Sequence, residues 1–79
     1  MKLEWQKDEK RLNGYVAESI RYRYIMIVPR SGRVVLGVQY ATDDAVKAKP
    51  IDQRSCTSRA QAERIAQRFE NHRHPRKLR

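Results

Sequence analysis

Apolar and polar residues alternate through the first half of the chain, and a helical period appears only near the end. In "KLEWQK", residues 2–7, Leu3 and Trp5 alternate with Glu4 and Gln6, the period of a half-buried strand. "DEKRLNG", 8–14, is charged and closes on Asn13 followed by Gly14, a strong turn signal. "YVAES", 15–19, predicts a second strand, with a tight turn near Ile20 and Arg21. "YRYIMIV", 22–28, predicts a third strand, stopped by Pro29, with Arg30, Ser31 and Gly32 as a hairpin connection. "RVVLGVQYA", 33–41, predicts a fourth, in which Gly37 marks a bulge or close packing. Residues 42–57 show no period and contain Pro50. They read as a long loop with room for one short strand or turn, and loops of such length often carry function.

"SRAQAERIAQRFENHR", 58–73, predicts a helix. Ser58 is the N-cap, and Gln61 completes a capping box. Ala62, Ile65, Ala66 and Phe69 form one apolar stripe, leaving Arg59, Glu63, Arg64, Gln67, Arg68 and Glu70 on the other face. Pro75 is expected to end the helix. The fold class is therefore α+β: an antiparallel meander of three to four strands packed on one C-terminal helix. Residues 1–73 make one small domain and 74–79 a basic, disordered tail.

Strand parity divides these residues between two faces. Tyr22, Tyr24, Met26 and Val28 share one face with Val34, Leu36, Val38 and Tyr40 of the next strand. One helix covers one face, and these rows supply the large apolar bodies that a covered face needs, joined by Leu3 or Trp5. Arg23, Ile25, Ile27, Val35 and Gln39 then line the uncovered face, as would Arg21 in a longer strand. A bulge would exchange the two rows.

With 79 residues the chain forms a thin core and has no apolar run of membrane-spanning length, so a soluble, cytoplasmic protein is expected, with no membrane partner. The single cysteine excludes an internal disulfide. Charge adds more. Lys and Arg number 18 against 9 Asp and Glu, a net +9, and arginines outnumber lysines twelve to six. Such a surplus suits nucleic acid, DNA ahead of RNA, or an acidic protein surface; a merely solubilising basic surface is the plain alternative.

Catalytic chemistry finds little footing. His72 and His74 lack further ligands of metal-site spacing, and cations near a helix C-terminus have a structural explanation in the helix dipole. Asp43, Asp44 and Asp52 read as loop solubility or turn caps. Cys56 lies near the helix start with Arg54 and Arg59 close in sequence, which could activate a thiol, but it has no histidine placed beside it. No phosphate-binding glycine loop is present. The expectation is a protein without enzymatic activity, cofactor or metal.

The succession "LEW", "GYVAES", "YRYIM" and the alanine-rich "SRAQAERIAQRFENH", spanning residues 3–72, resembles small phage and prophage sheet-plus-helix proteins of unknown function. A second likeness is to three-stranded DNA-binding domains of the integrase arm-binding and plant ethylene-response types. Gly14, Tyr15, Val16, Ala17 and Glu18 echo their "G-W-x-A-E" strand, and Arg33, Val34, Val35, Leu36 and Gly37 echo "R-x-W-L-G". These resemblances imply a phage-type origin and, for the second, a sheet that reads DNA.

Two functional expectations follow. The first is nucleic-acid binding, mainly through phosphates, by Arg21, Arg23, Arg30 and Arg33 around the central hairpin and by Arg76, Lys77 and Arg79 in the tail, with Arg64 and Arg68 secondary. The second is a phage accessory or anti-defence protein that docks on a host protein complex, with Arg23, Ile25, Ile27 and Val35 as the interface; the same face would serve a homodimer.

Overall fold

The computed structural model describes residues 2–41 and 50–77, with side chains placed through His72. Five strands form one antiparallel sheet in chain order: β1 (Gln6–Asp8), β2 (Gly14–Glu18), β3 (Tyr22–Ile27), β4 (Val34–Tyr40) and β5 (Asp52–Cys56). The helix α1 (Arg59–Lys77) crosses one face of the sheet. The expected three to four strands thus become five. β5 lies inside the segment read as a loop, because only Cys56 among its residues is buried and its other positions are polar. Residues 42–49, including Asp43 and Asp44, lie outside the described residues.

Register confirms the parity. Tyr22 pairs with Tyr40, Tyr24 with Val38 and Met26 with Leu36, so these side chains share the helix-covered face, and all but Tyr40 are buried. Pairing runs unbroken through Gly37, which faces Ile25 on one side and Gln53 on the other, so no bulge forms there. A methyl group on Gly37 would meet its neighbours only at ordinary contact distance, so the expected close packing is absent as well. Gly14 is a different case. A Cβ there would come within 2.8 Å of the Arg11 Cβ, and the residue before it, Asn13, takes the left-handed backbone with φ 59°. Gly32 turns the next hairpin with φ 94°.

Local bonds lock the turns on either side of β2. Between β2 and β3 the Ser19 hydroxyl oxygen accepts the Tyr22 N–H at 3.1 Å, leaving Ile20 exposed at the tip. Before β2, Asp8 accepts from the Arg11 guanidinium at 2.7 Å and from the Lys10 N–H at 3.0 Å. Burial alone would raise the Asp8 carboxyl, but the bonds from Arg11 and Lys10 outweigh it and hold the group below its usual range. β1 is shorter than expected. Leu3 and Trp5 precede it, Leu3 buried and Trp5 packed against the core, and the Leu3 N–H reaches Gln67 on the helix at 2.8 Å.

The helix begins as its cap predicts. Ser58 Oγ accepts the Gln61 N–H at 3.2 Å, while the Gln61 side chain reaches one residue further back, accepting the Thr57 N–H at 2.7 Å. The backbone continues in helix past Pro75 to Lys77, beyond the expected end, and so includes part of the expected tail. A proline this close to a helix end removes one hydrogen bond where few turns remain to be disrupted.

Glu70 departs most from expectation. It sits four residues after Ala66, on the apolar stripe, and is 2% exposed. Its carboxylate accepts the Tyr24 hydroxyl at 2.5 Å, tying the middle of α1 to the centre of the sheet. Burial first, then the bond to Glu70 and its charge, hold the Tyr24 hydroxyl protonated well above the ordinary tyrosine range. Tyr24→Phe removes this bond and leaves a buried carboxylate oxygen without it, so a loss of about 1–3 kcal/mol is expected in urea unfolding at neutral pH. A tyrosine pKa raised on folding contributes stability below the unfolded value of about 10 that is lost as pH rises above it. The parent's stability is therefore expected to fall more steeply above pH about 10 than that of Tyr24→Phe, by up to about 1.4 kcal/mol per pH unit. Equal slopes would remove the buried hydroxyl from the account.

Candidate nucleic-acid interface

An antiparallel meander sends successive connections to opposite ends of the sheet. The β1–β2 and β3–β4 turns and the start of α1 therefore share one end, here the N-cap end. A hydrogen bond of 2.9 Å from the Val28 N–H to the Asn13 carbonyl joins the two turns. This end gathers Lys10, Arg11, Arg30, Arg33 and Arg59. Arg11 is paired with Asp8 at 2.7 Å and Arg59 with Glu63 at 2.8 Å. Lys10, Arg30 and Arg33 are exposed and, among the described residues, have no side-chain hydrogen bond or ion pair. Glu9 is the exposed acid beside them. Leu12, 87% exposed, stands in the same turn as Lys10. Just below, the Arg59 guanidinium lies over the Tyr15 ring at 4.2 Å and the Lys7 ammonium at 5.8 Å.

The residues expected to act around the hairpin do not converge. Arg21 is exposed, but in the β2–β3 turn at the opposite end of the sheet from Arg30 and Arg33. The six residues of β3 between them span roughly 20 Å. Arg23 lies on the uncovered face, as parity requires, yet its guanidinium is taken up by the sheet itself. It donates to Glu18 at 2.8 Å, to the Gln39 side chain at 2.8 Å and to the Ala41 carbonyl at 2.7 Å. The side chain is only 14% exposed, and Gln39 is buried. Arg23 thus bridges β2, β3 and the end of β4.

Arg64 and Arg68 are exposed on α1 with no side-chain partner among the described residues. Arg68 shares with His72, one turn later, the flank of the helix that faces β5. The side chains of Arg76 and Lys77, and Arg79 altogether, lie outside the described residues. Ile25, Ile27 and Val35 are half-buried on the uncovered face, where Ile25 pairs with Val16 and Ile27 with Val35. Cys56 is fully buried against Val34, and among the described residues no three His, Cys, Asp or Glu side chains converge on a metal position. No helix among them is long and apolar enough to cross a membrane.

Sequence reasoning left Lys7, Lys10 and Arg54 out of the candidate nucleic-acid contacts. The alternation of turns between two ends could have grouped Lys10 with Arg30 and Arg33, because that grouping needs only the strand list. The fold is an α+β meander crossed by one helix. Comparison with family models, curated proteins and solved structures returns no match. The likeness to phage proteins and to arm-binding domains accordingly rests on the residues quoted for it.

Arg23→Ala is expected to lower stability by about 1.5–3 kcal/mol, because it removes charge-assisted bonds from a largely buried group. Arg23→Lys is expected to recover little of this, since one ammonium cannot match a planar fork across acceptors on neighbouring strands. Arg30→Ala is expected to stay within about 0.5 kcal/mol of the parent. Urea unfolding of the three variants checks this ordering; an Arg23→Ala protein as stable as Arg30→Ala would contradict it.

Proposed function

We propose that the chain is a small, basic, non-enzymatic nucleic-acid-binding protein of phage type that holds DNA, and RNA second, mainly through the phosphate backbone. The observation that supports this most is the cluster of exposed, unpaired cations Lys10, Arg30 and Arg33 where two turns meet at one end of the sheet. Cations engaged within the fold, such as Arg11 and Arg23, have little left to offer a phosphate. Exposed ones can each release a condensed counterion from the nucleic acid on binding, the main source of sequence-independent affinity. The net +9 draws nucleic acid toward the protein from a distance, and Arg64, Arg68 and the terminal Arg76, Lys77 and Arg79 extend the contact. Arg23 takes a structural role in this reading, and Arg21 lies at the far end.

The half-buried row of Val16, Ile25, Ile27 and Val35 supports a second reading. α1 lies on the opposite face, and an aliphatic row bordered by polar residues suits a protein contact. In that case the chain is an accessory or anti-defence protein docking on a host complex, or self-associating, through this face.

Fluorescence anisotropy with labelled duplex DNA, single-stranded DNA and RNA, at low and at physiological salt, separates the two. Nucleic-acid binding predicts micromolar or tighter affinity at low salt that falls steeply as salt rises. The combined Lys10→Ala, Arg30→Ala and Arg33→Ala variant is expected to reduce the slope of log affinity against log salt by about 2–3. Ile27→Asp, if folded, is expected to leave that slope unchanged. Absence of binding at low salt would overturn the proposal and turn attention to the aliphatic face.

A further inference from the structure

A cavity of about 190 Å³ opens between α1 and β5. It exists because the helix covers β3 and β4 and leaves the edge strand only partly covered. Its floor is apolar, made by Leu36 and Val38 of β4 and by Ile65 and Phe69 of α1. Its mouth is polar, with Asp52 and Arg54 of β5 on one side and Arg68 and His72 of α1 on the other. Asp52 and Arg54 point to the helix side of the sheet, since they pair with Val38 and Leu36. They stand 3.3 Å apart, a loose, exposed pair that a ligand could re-arrange at little cost. Arg68 has no side-chain partner among the described residues.

Building on the nucleic-acid reading, we infer that this cavity takes one unstacked base of a single strand, a pyrimidine by size, while Arg54 and Arg68 hold the phosphates on either side. Size comes first. An apolar cavity of about 150 Å³ in another protein accommodates one benzene ring, so 190 Å³ suits one six-membered ring with its substituents. Chemistry comes second. A base presents an apolar ring face to the floor, while its edge carries N–H donors that the Asp52 carboxylate can accept. A simple carboxylate ligand would meet Asp52 as a like charge. The backbone of a nucleotide places its anionic group outside the ring, where the arginines are. The start of α1 lies about 14 Å from Arg68 along the helix axis, so a bound strand leaving the cavity can reach the basic N-cap end.

The test compares three labelled ligands of about 12 nucleotides, within the roughly 4–16 that single-strand sites occupy. They are an oligodeoxycytidine, an abasic deoxyribose-phosphate strand of equal length, and a duplex. Anisotropy at constant salt is expected to show the cytidine strand binding about tenfold tighter than the abasic one, and tighter than the duplex. Ile65→Trp, which fills the cavity, is expected to abolish that difference while keeping the affinity for the abasic strand. On the parent protein, methyl NMR resonances of Leu36, Val38 and Ile65 are expected to shift with the cytidine strand and not with the abasic one. This readout needs no variant, so a substitution that fails to fold leaves the test intact. Equal affinity for the cytidine and abasic strands with unmoved cavity methyls would overturn the inference and leave phosphate binding standing; it is also the outcome if the cavity holds a partner's apolar side chain. Tighter binding of the duplex would overturn it in the same way. No binding of any strand would overturn the proposed function and this inference together.

Discussion

One helix can cover only one face of a five-stranded sheet, and the rest of the molecule follows from that limit. Apolar bodies concentrate where α1 lies. Tyr22, Tyr24 and Phe69 meet edge-on there, with ring centroids 5.2 Å apart for Tyr22 and Phe69 and 6.1 Å for Tyr24 and Phe69. The bond from the Tyr24 hydroxyl to Glu70 fixes the helix to the middle of that face and gives a buried carboxylate a strong donor. Among the described residues, no helix covers the other face. Its strands are held instead by a polar bridge, in which Arg23 joins Glu18, Gln39 and Ala41, and by β-branched side chains that tolerate half-burial. At the edge, β5 extends beyond the helix and the cavity opens.

The same limit decides what the sequence could reveal. Period-two alternation is a direct imprint of a face being buried, so β2, β3 and β4 were legible nearly to the residue, as was the parity of β3 and β4. β5 was not, because an edge strand that buries only Cys56 leaves no apolar period. Glu70 was misplaced for the converse reason: a charged residue at a stripe position looks like surface until its partner, 46 residues earlier, is known. The fate of Arg23 depends on Gln39 and Ala41, which strand pairing brings together and local sequence does not. Arg30 and Arg33 were legible as candidate cations of one hairpin, but their grouping with Lys10, and the separation of Arg21 and Arg23 from them, depend on how the strands pair.

Sorting the cations by their partners changes the functional picture more than counting them. Arg11, Arg23 and Arg59 serve the turn, the sheet and the helix start. Lys10, Arg30 and Arg33 are left exposed at one end, and Arg68 beside the cavity. In the proposed reading, phosphates are gripped at this basic end and along one helix flank, and the aliphatic face is left out of the contact. Surface charge that is not needed for the fold is the charge that can respond to salt.

The account is tested most directly by backbone amide NMR during titration with a short single-stranded DNA. Shifts concentrated in residues 9–13 and 28–33 and along the flank of α1 that carries Arg68 and His72, with Val16, Ile25, Ile27 and Val35 unmoved, are the expected result. Shifts confined to Val16, Ile25, Ile27 and Val35, or none at saturating DNA, would contradict it.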